Sequence, residues 1–265
     1  MSNCPAVSAS ITRCALPAVL ALAVLAGGAS ARANTFGDTP MTRSQVLAVL
    51  KHARPGHPAD LRNKDFRGLN LSGVDFKGAD LFGTDMQHAN LSDADLANCN
   101  MNRTVMLDSD LEGANLRHVR LYGIMFTNAD LKGADLSGAR VIAILKDSNL
   151  KGANLTKANF GMNMANQGMA PMRSDLTEVN LEGADLSAMN CRGCVLHTAD
   201  LAGANLTKAN LRDADLRGVN FAGANLTDAN LTDARLADAT FVDITGRDTI
   251  VGLENATNGR SQAAR

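Results

Sequence analysis

The sequence predicts an all-β chain wound into a four-sided parallel β-helix, and three observations carry that prediction. Apolar residues recur at every fifth position from Leu61 to Val141, again from Leu145 to Phe160, and again from Leu176 to Phe241. A second period of 20 residues separates Phe66, Met86, Met106 and Phe126, the bulky centres, whose units carry Lys64, Thr84, Thr104 and Ile124 where a small residue is usual. Aromatic residues make up only 3% of the chain and tryptophan is absent, as an interior too narrow for large rings would require.

Residues 1–33 read as a secretory leader. Arg13 closes a polar stretch, Cys14 to Ala26 is an apolar run containing Pro17, and Ala31-Arg32-Ala33 supplies the small-residue cleavage pattern, with the cut after Ala33. The run is well short of the ~20 residues that span a bilayer, so no membrane insertion is expected after cleavage. Cys14 precedes the apolar run, which argues against a lipid-anchored cysteine. The sequence therefore predicts a periplasmic or secreted protein. The whole chain has a formal net charge of -1; without the leader, 24 basic side chains face 27 acidic ones. Such a balance gives no electrostatic reason to expect nucleic acid as a partner.

Residues 34–58 form a linker and cap. Val46, Leu47, Val49 and Leu50 stand at helical spacing between Pro40 and about Ala53, and Thr42 with Gln45 could form a capping box. A helix here would cover the first open edge of the coil, which otherwise invites aggregation.

The repeat occupies residues 59–160 and 176–244. Each unit reads small residue, Asp or Asn, then a Leu-type centre, then two polar or glycine positions, as in Ala89-Asn90-Leu91 and Ala134-Asp135-Leu136. A period of five fits neither a helix at 3.6 nor a flat strand at 2, so the chain must turn once per unit. Residues 20 apart then stack, and about 35 units make nearly nine coils. Alternation along each short side turns the centre and the small residue inward, which nominates Leu116 and Leu206, with Phe66, Met86, Met106 and Phe126, as core. The Asp or Asn between them points out and reads as a solvated ladder. Glycine at the second corner position, as in Gly68, Gly73 and Gly113, fits a turn that wants a permissive backbone.

At this point the sequence resembles the pentapeptide-repeat family, whose motif is written A-(D/N)-L-x-x. The resemblance runs from Ala59 to Phe241, nearly 70% of the chain. It implies a right-handed quadrilateral β-helix. Some members of that family mimic duplex DNA and protect type II topoisomerases. That alternative calls for a cytoplasmic protein with a strongly acidic surface, whereas here a leader is present and Lys132, Lys151, Lys157, Lys208, Arg212 and Arg217 are mixed through the outward positions.

Two places break the pattern. One residue is missing between Val141 and Leu145, which predicts a local kink. Residues 161–175 lose the motif and hold Met162, Met164, Met169 and Met172; their thioethers could bind a soft metal such as Cu(I), but flexible methionines also plug irregular gaps. Cys191 and Cys194 fall in two inward slots around one corner, as buried thiols or a disulfide, and Cys99 takes a small slot. His88 and His118 lie on opposite sides and His197 in a different stack, so no catalytic constellation forms and no cofactor is expected. Residues 245–265 read as an apolar cap around Ile250, Val251 and Leu253, which could also serve a homodimer, followed by a disordered tail. The function expected is an exported protein-interaction scaffold whose partner protein the sequence does not name.

Overall fold

The computed structural model describes residues 40–54, 56–162 and 172–255. The expected leader, the tail beyond Asn255, and Met164 and Met169 lie outside them. Among the described residues no helix is long and apolar enough to cross a membrane.

The N-terminal cap is a helix, α1 (Arg43–Leu50), shorter than the sequence suggested. Thr42 caps it: its hydroxyl accepts from the Gln45 N–H at 3.3 Å, and the Thr42 N–H donates to Gln45 Oε1 at 2.7 Å. Val46 and Leu50 are buried, while Leu47 turns outward and stays 44% exposed. Before the helix, the Met41 N–H donates to the Asp65 carbonyl at 3.0 Å. Arg43 donates to the carbonyls of Asn70 and Ser72 at 2.7 and 3.1 Å. These carbonyls would face a preceding coil if there were one, so the cap supplies donors where the stack begins.

From Ala59 the chain coils through four walls, and the coil is right-handed. Wall A is centred on Leu61, wall B on Phe66, wall C on Leu71 and wall D on Phe76, and each wall pairs with the same wall of the next coil in parallel. Wall D shows the full ascent through Asp75, Asp95, Asn115, Asp135, Asn154, Asp185, Asn205, Asn225 and Thr245, nine rungs. At the ~4.8 Å strand spacing this is a rod about 40 Å long.

The wall B centres align as the 20-residue period requires: Phe66, Met86, Met106 and Phe126 are linked rung to rung and fully buried. Leu116 and Leu206 are fully buried on wall D. Polar residues in inward slots turn their hydroxyls onto carbonyls. Thr84 donates to Leu81 at 2.5 Å, Thr104 to Met101 at 2.8 Å and Ser148 to Phe126 at 2.7 Å.

The missing residue is absorbed in the sheet. β1 (Arg120–Met125) and β2 (Arg140–Ile144) run extended through the A–B corner and pair in parallel. The register passes from Tyr122 opposite Ile142 to Ile124 opposite Ala143, so Gly123, at φ 66°, bulges without a partner.

The Met-rich break does not divide the solenoid. Asn159 pairs with Asn190 and Asn154 with Asp185, partners 31 residues apart where 20 is usual, and the ladder resumes on all walls. The two repeat segments are one stack, and the extra residues enter at a single A–B corner. At the far end Phe241 stacks on Phe221 with ring centroids 5.1 Å apart, and Thr245 and Val251 continue the ladder. Val242 and Val251 remain more than half exposed there, at 56% and 52%.

Placing aspartate at Leu116 or Leu206 puts an unpaired charge inside the tube, so each variant should lose about 4 kcal/mol or more in chemical denaturation, or fail to fold. Lys132→Asp breaks only an exposed contact with Glu112, 2.6 Å in length, and should cost at most about 1 kcal/mol.

Candidate functional site

The outer walls are the surface this fold offers, and the backbone decides which of their positions can vary. In the unit Ala204 to Lys208 all five N–H groups have partners. Ala204 donates across its own turn to Leu201 at 3.1 Å; Asn205 donates to Ala184 in the coil below at 2.9 Å. Leu206 and Lys208 donate to Asn225 and Thr227 in the coil above at 2.7 and 2.9 Å. The remaining N–H, of Thr207 at the first corner position, donates to the side-chain oxygen of Asn205 at 3.2 Å. The unit around Leu116 repeats this scheme, with Arg117 donating to Asn115 Oδ1 at 3.2 Å.

The Asp or Asn of each repeat is therefore an acceptor built into the corner, an Asx turn, rather than a solvated decoration. The expectation of a freely solvated ladder is corrected on this point, because most of these side chains are half-buried. They also bond along the rod: Asn100 donates to Asp80 at 2.9 Å, Asn154 to Asp135 at 3.1 Å and Asn205 to Asp185 at 3.1 Å. Residues with a short side-chain acceptor dominate the position two before the corner's first residue.

The corner's last position takes a positive φ, the mark of a type II turn when it stands alone at the third residue. Glycine meets it at Gly133, but so do His88 at 56°, His118 at 56° and Lys208 at 59°. His88 and His118 are thus corner residues on opposite edges, and His197 sits at a first corner position several rungs away from either.

Outward charges pair along the rod. Lys132 meets Glu112 at 2.6 Å and Lys151 meets Glu182 at 2.7 Å, lining a shallow groove with Ser92, Asp110 and Gly133. Arg192 reaches Asp213 at 2.9 Å and Arg212 reaches Asp233 at 3.3 Å. On wall B, Arg67 grips the buried Asp65 carboxylate with two donors at 2.9 and 2.6 Å and lowers it below its ordinary value. Asp60 is lowered to about 2 by the Arg62 side chain in the same way.

Cys191 and Cys194 are joined as a disulfide across the A–B corner of the rung after the break, with both residues buried. Cys99 is a buried free thiol, and burial pushes it up to about 12. Of the methionines in the break, Met172 is 43% exposed. Met162 rests on Gly193, where a Cβ would fall 2.6 Å from its methyl carbon. Among the described residues no cluster of His, Cys, Asp or Glu is arranged to hold a metal ion.

With the five-residue unit, its inward slots and its corner acceptors described, comparison with known proteins has a clear outcome. Residues 69–160 and 174–248 match the family described as a pentapeptide repeat region. The chain belongs to the pentapeptide-repeat family. It is similar to the solved structure of full-length QnrB1, a plasmid-mediated fluoroquinolone resistance protein, at 21% identity and a TM-score of 0.63, over 77% of this chain and 93% of that one. It is also similar to HetL, a pentapeptide repeat protein involved in heterocyst differentiation regulation from the cyanobacterium Nostoc sp. strain PCC 7120. There the identity is 28% and the TM-score 0.47, over 80% of this chain and 94% of that one. The first likeness supports the fold alone. No curated protein matches the chain.

Within this pentapeptide-repeat rod the corner acceptors should be measurable. Asn225→Ala leaves the Thr227 N–H without its acceptor and should cost about 1 kcal/mol in denaturant unfolding, while Asn225→Asp, which keeps the acceptor and has Asn205 and Thr245 rather than carboxylates as ladder neighbours, should cost less. Asp60 and Asp65 have folded pKa values below their unfolded ones, so their contribution is present above about pH 4; that of Asp60 is lost as pH falls toward about 2, and that of Asp65 as pH falls through its own lowered value. Melting temperature followed from pH 5 to pH 2 should drop through that window, and Arg67→Gln should make the drop shallower.

Proposed function

We propose that this pentapeptide-repeat protein is an exported, non-enzymatic scaffold that presents the walls of its rod to a protein partner. The observation that carries the reading is the unbroken ladder: nine rungs continue through a deleted residue and an insertion, so outward side chains keep fixed spacings over the whole rod. Such rigidity lets a partner bind without the entropic cost of ordering the surface.

Export rests on the leader at residues 1–33 and is supported by the joined Cys191 and Cys194, since disulfides persist chiefly in oxidising compartments. The mixed outer walls favour a protein partner over the DNA-mimic alternative. Lys132 and Lys151 stand against Glu112 and Glu182, and Arg192 and Arg212 against Asp213 and Asp233, so acidic and basic side chains alternate where a mimic of duplex DNA would hold rows of acid.

Cell fractionation with mass spectrometry of the purified chain should find the protein outside the cytoplasm with Asn34 as its first residue. Recovery of the full-length chain in the cytoplasm, bound to a topoisomerase, would overturn the reading.

A further inference from the structure

The corner-acceptor rule fails singly at Val195 and Arg235 on wall B and at Val251 at the end of wall A, but one stretch of the rod breaks it over consecutive rungs of two adjacent walls. On wall A the outward positions of the fourth and fifth rungs hold Arg120 and Arg140 instead of Asp or Asn. On wall B the third to fifth rungs hold Val105, Met125 and Ile144 in succession. Tyr122 and Ile142 follow the two arginines at the first corner position, side by side in β1 and β2.

The fold gains nothing visible from these choices. Arg120 cannot accept the Tyr122 N–H, which turns instead to Asn102 Oδ1 in the coil below at 3.0 Å. Arg120 and Arg140 are direct partners in the parallel pair, so two guanidinium-bearing residues stand one above the other at the ~4.8 Å rung spacing, an arrangement that is destabilising by itself. Other arginines on the coils, such as Arg62, Arg67, Arg117, Arg192 and Arg217, each meet an aspartate within 3.8 Å. Among the described residues Arg120 and Arg140 are exposed and meet no carboxylate. The segments outside the described residues contain one acidic residue, Asp38, so the chain has little with which to neutralise them. Below them Arg103 stacks over the Phe82 ring at 6.0 Å and adds a third cation at the same edge.

We propose that this A–B edge docks an acidic amphipathic helix of a protein partner. Two carboxylates three or four residues apart on a helix lie ~5–6 Å from each other, close to the rung spacing that separates the two arginines. The apolar edge of the same helix would cover Val105, Met125 and Ile144, which are half-buried in the isolated chain. A nucleic-acid backbone fits less well. It would draw on a longer run of cations, whereas the wall A column continues to Asn100 on one side and Asn159 on the other. Phosphates would also gain nothing from the apolar column. This inference rests on the scaffold reading and names the chemistry of the partner.

The test is a selection of random displayed peptides on the purified full chain, run in parallel on the double variant Arg120→Gln, Arg140→Gln. Peptides enriched on the native protein should carry Asp or Glu pairs three or four positions apart beside Leu or Phe, and should bind the double variant roughly tenfold more weakly or worse. Enrichment of neutral or basic peptides, or equal binding to both proteins, would overturn the docking surface and leave the scaffold reading standing. Enrichment of nothing on either protein would overturn both. Binding of a short DNA duplex or of phosphatidylglycerol vesicles that depends on the two arginines would overturn the assignment to a protein partner. The double variant should melt no lower than the native chain, because a like-charge contact is removed; a lower melting point would show that the arginines serve the fold and would sink the proposal.

Discussion

Every side of this solenoid is too short to be a strand in its own right, so the stability of the backbone depends on where the five N–H groups of each unit go. Three of them reach neighbouring coils and one closes the turn, as the unit from Ala204 to Lys208 shows. The fifth points into the corner and would be left to water without a side-chain acceptor two residues earlier. Asn205 supplies it there, and Asp60, Asn90 and Asp130 do the same elsewhere. A buried or half-buried N–H left unpaired costs as much as a lost hydrogen bond, and the repeat would incur that cost about once in every five residues. The Asp or Asn of the motif is thus a structural requirement with an outward-facing position.

That requirement sorts the surface. The first corner position is free, and it holds Arg62, Phe82, Asn102 and Tyr122 on successive rungs of one wall. The position before the centre is constrained, so a departure there carries meaning that a departure at the first corner does not. Arg120, Arg140, Val105, Met125 and Ile144 give up the acceptor on walls A and B between the third and fifth rungs, while Val195 and Arg235 give it up singly farther along wall B. Scattered losses would look like drift in a tolerant repeat. Only here do consecutive rungs of both adjoining walls lose it together, and the two arginines stacked as direct partners mark a surface kept for something other than the fold.

Much of the architecture was legible in the sequence because a packing constraint wrote it there. The tube admits one large side chain per side, so the five-residue period fixes the inward slots of Phe66, Met86, Met106, Phe126, Leu116, Leu206, Cys191 and Cys194 by counting; size alone does not mark a wall, since Phe76, Phe160 and Phe221 are equally buried on walls D, A and C. The capping box of Thr42 and Gln45 was readable for a similar reason, since both partners are local. The corner acceptor was not read, because Asp and Asn on an outer face are already accounted for by solvation and nothing in the period distinguishes the two explanations. Nor could the period say whether the stack survives residues 161–175. Register across an insertion is fixed by pairing between Asn159 and Asn190, a contact 31 residues long, and not by any local pattern.

The interruptions obey a common geometry. The residue lost after Val141, the segment inserted after Phe160 and the covalent link between Cys191 and Cys194 all fall at the A–B corner. A corner is where a solenoid can change length at least cost, because the walls on either side keep their rung spacing while only the turn between them adjusts. The deletion works there because β1 and β2 can run extended through the bend and pair around the bulged Gly123. The insertion works because Ser174 bridges its far end to the ladder, donating to the carbonyls of Val141 and Phe160 at 3.1 and 3.0 Å. One rung later the disulfide ties the wall A slot to the slot leading into wall B, and Met162 lies against Gly193 between them. The corner that carries the irregular turns is thus refastened at once, and the walls above it repeat the regular scheme from Asp200 to Thr232. Regular walls on both sides of an irregular edge are what a docking edge needs, since a partner can then be positioned by the rod and discriminated by the edge.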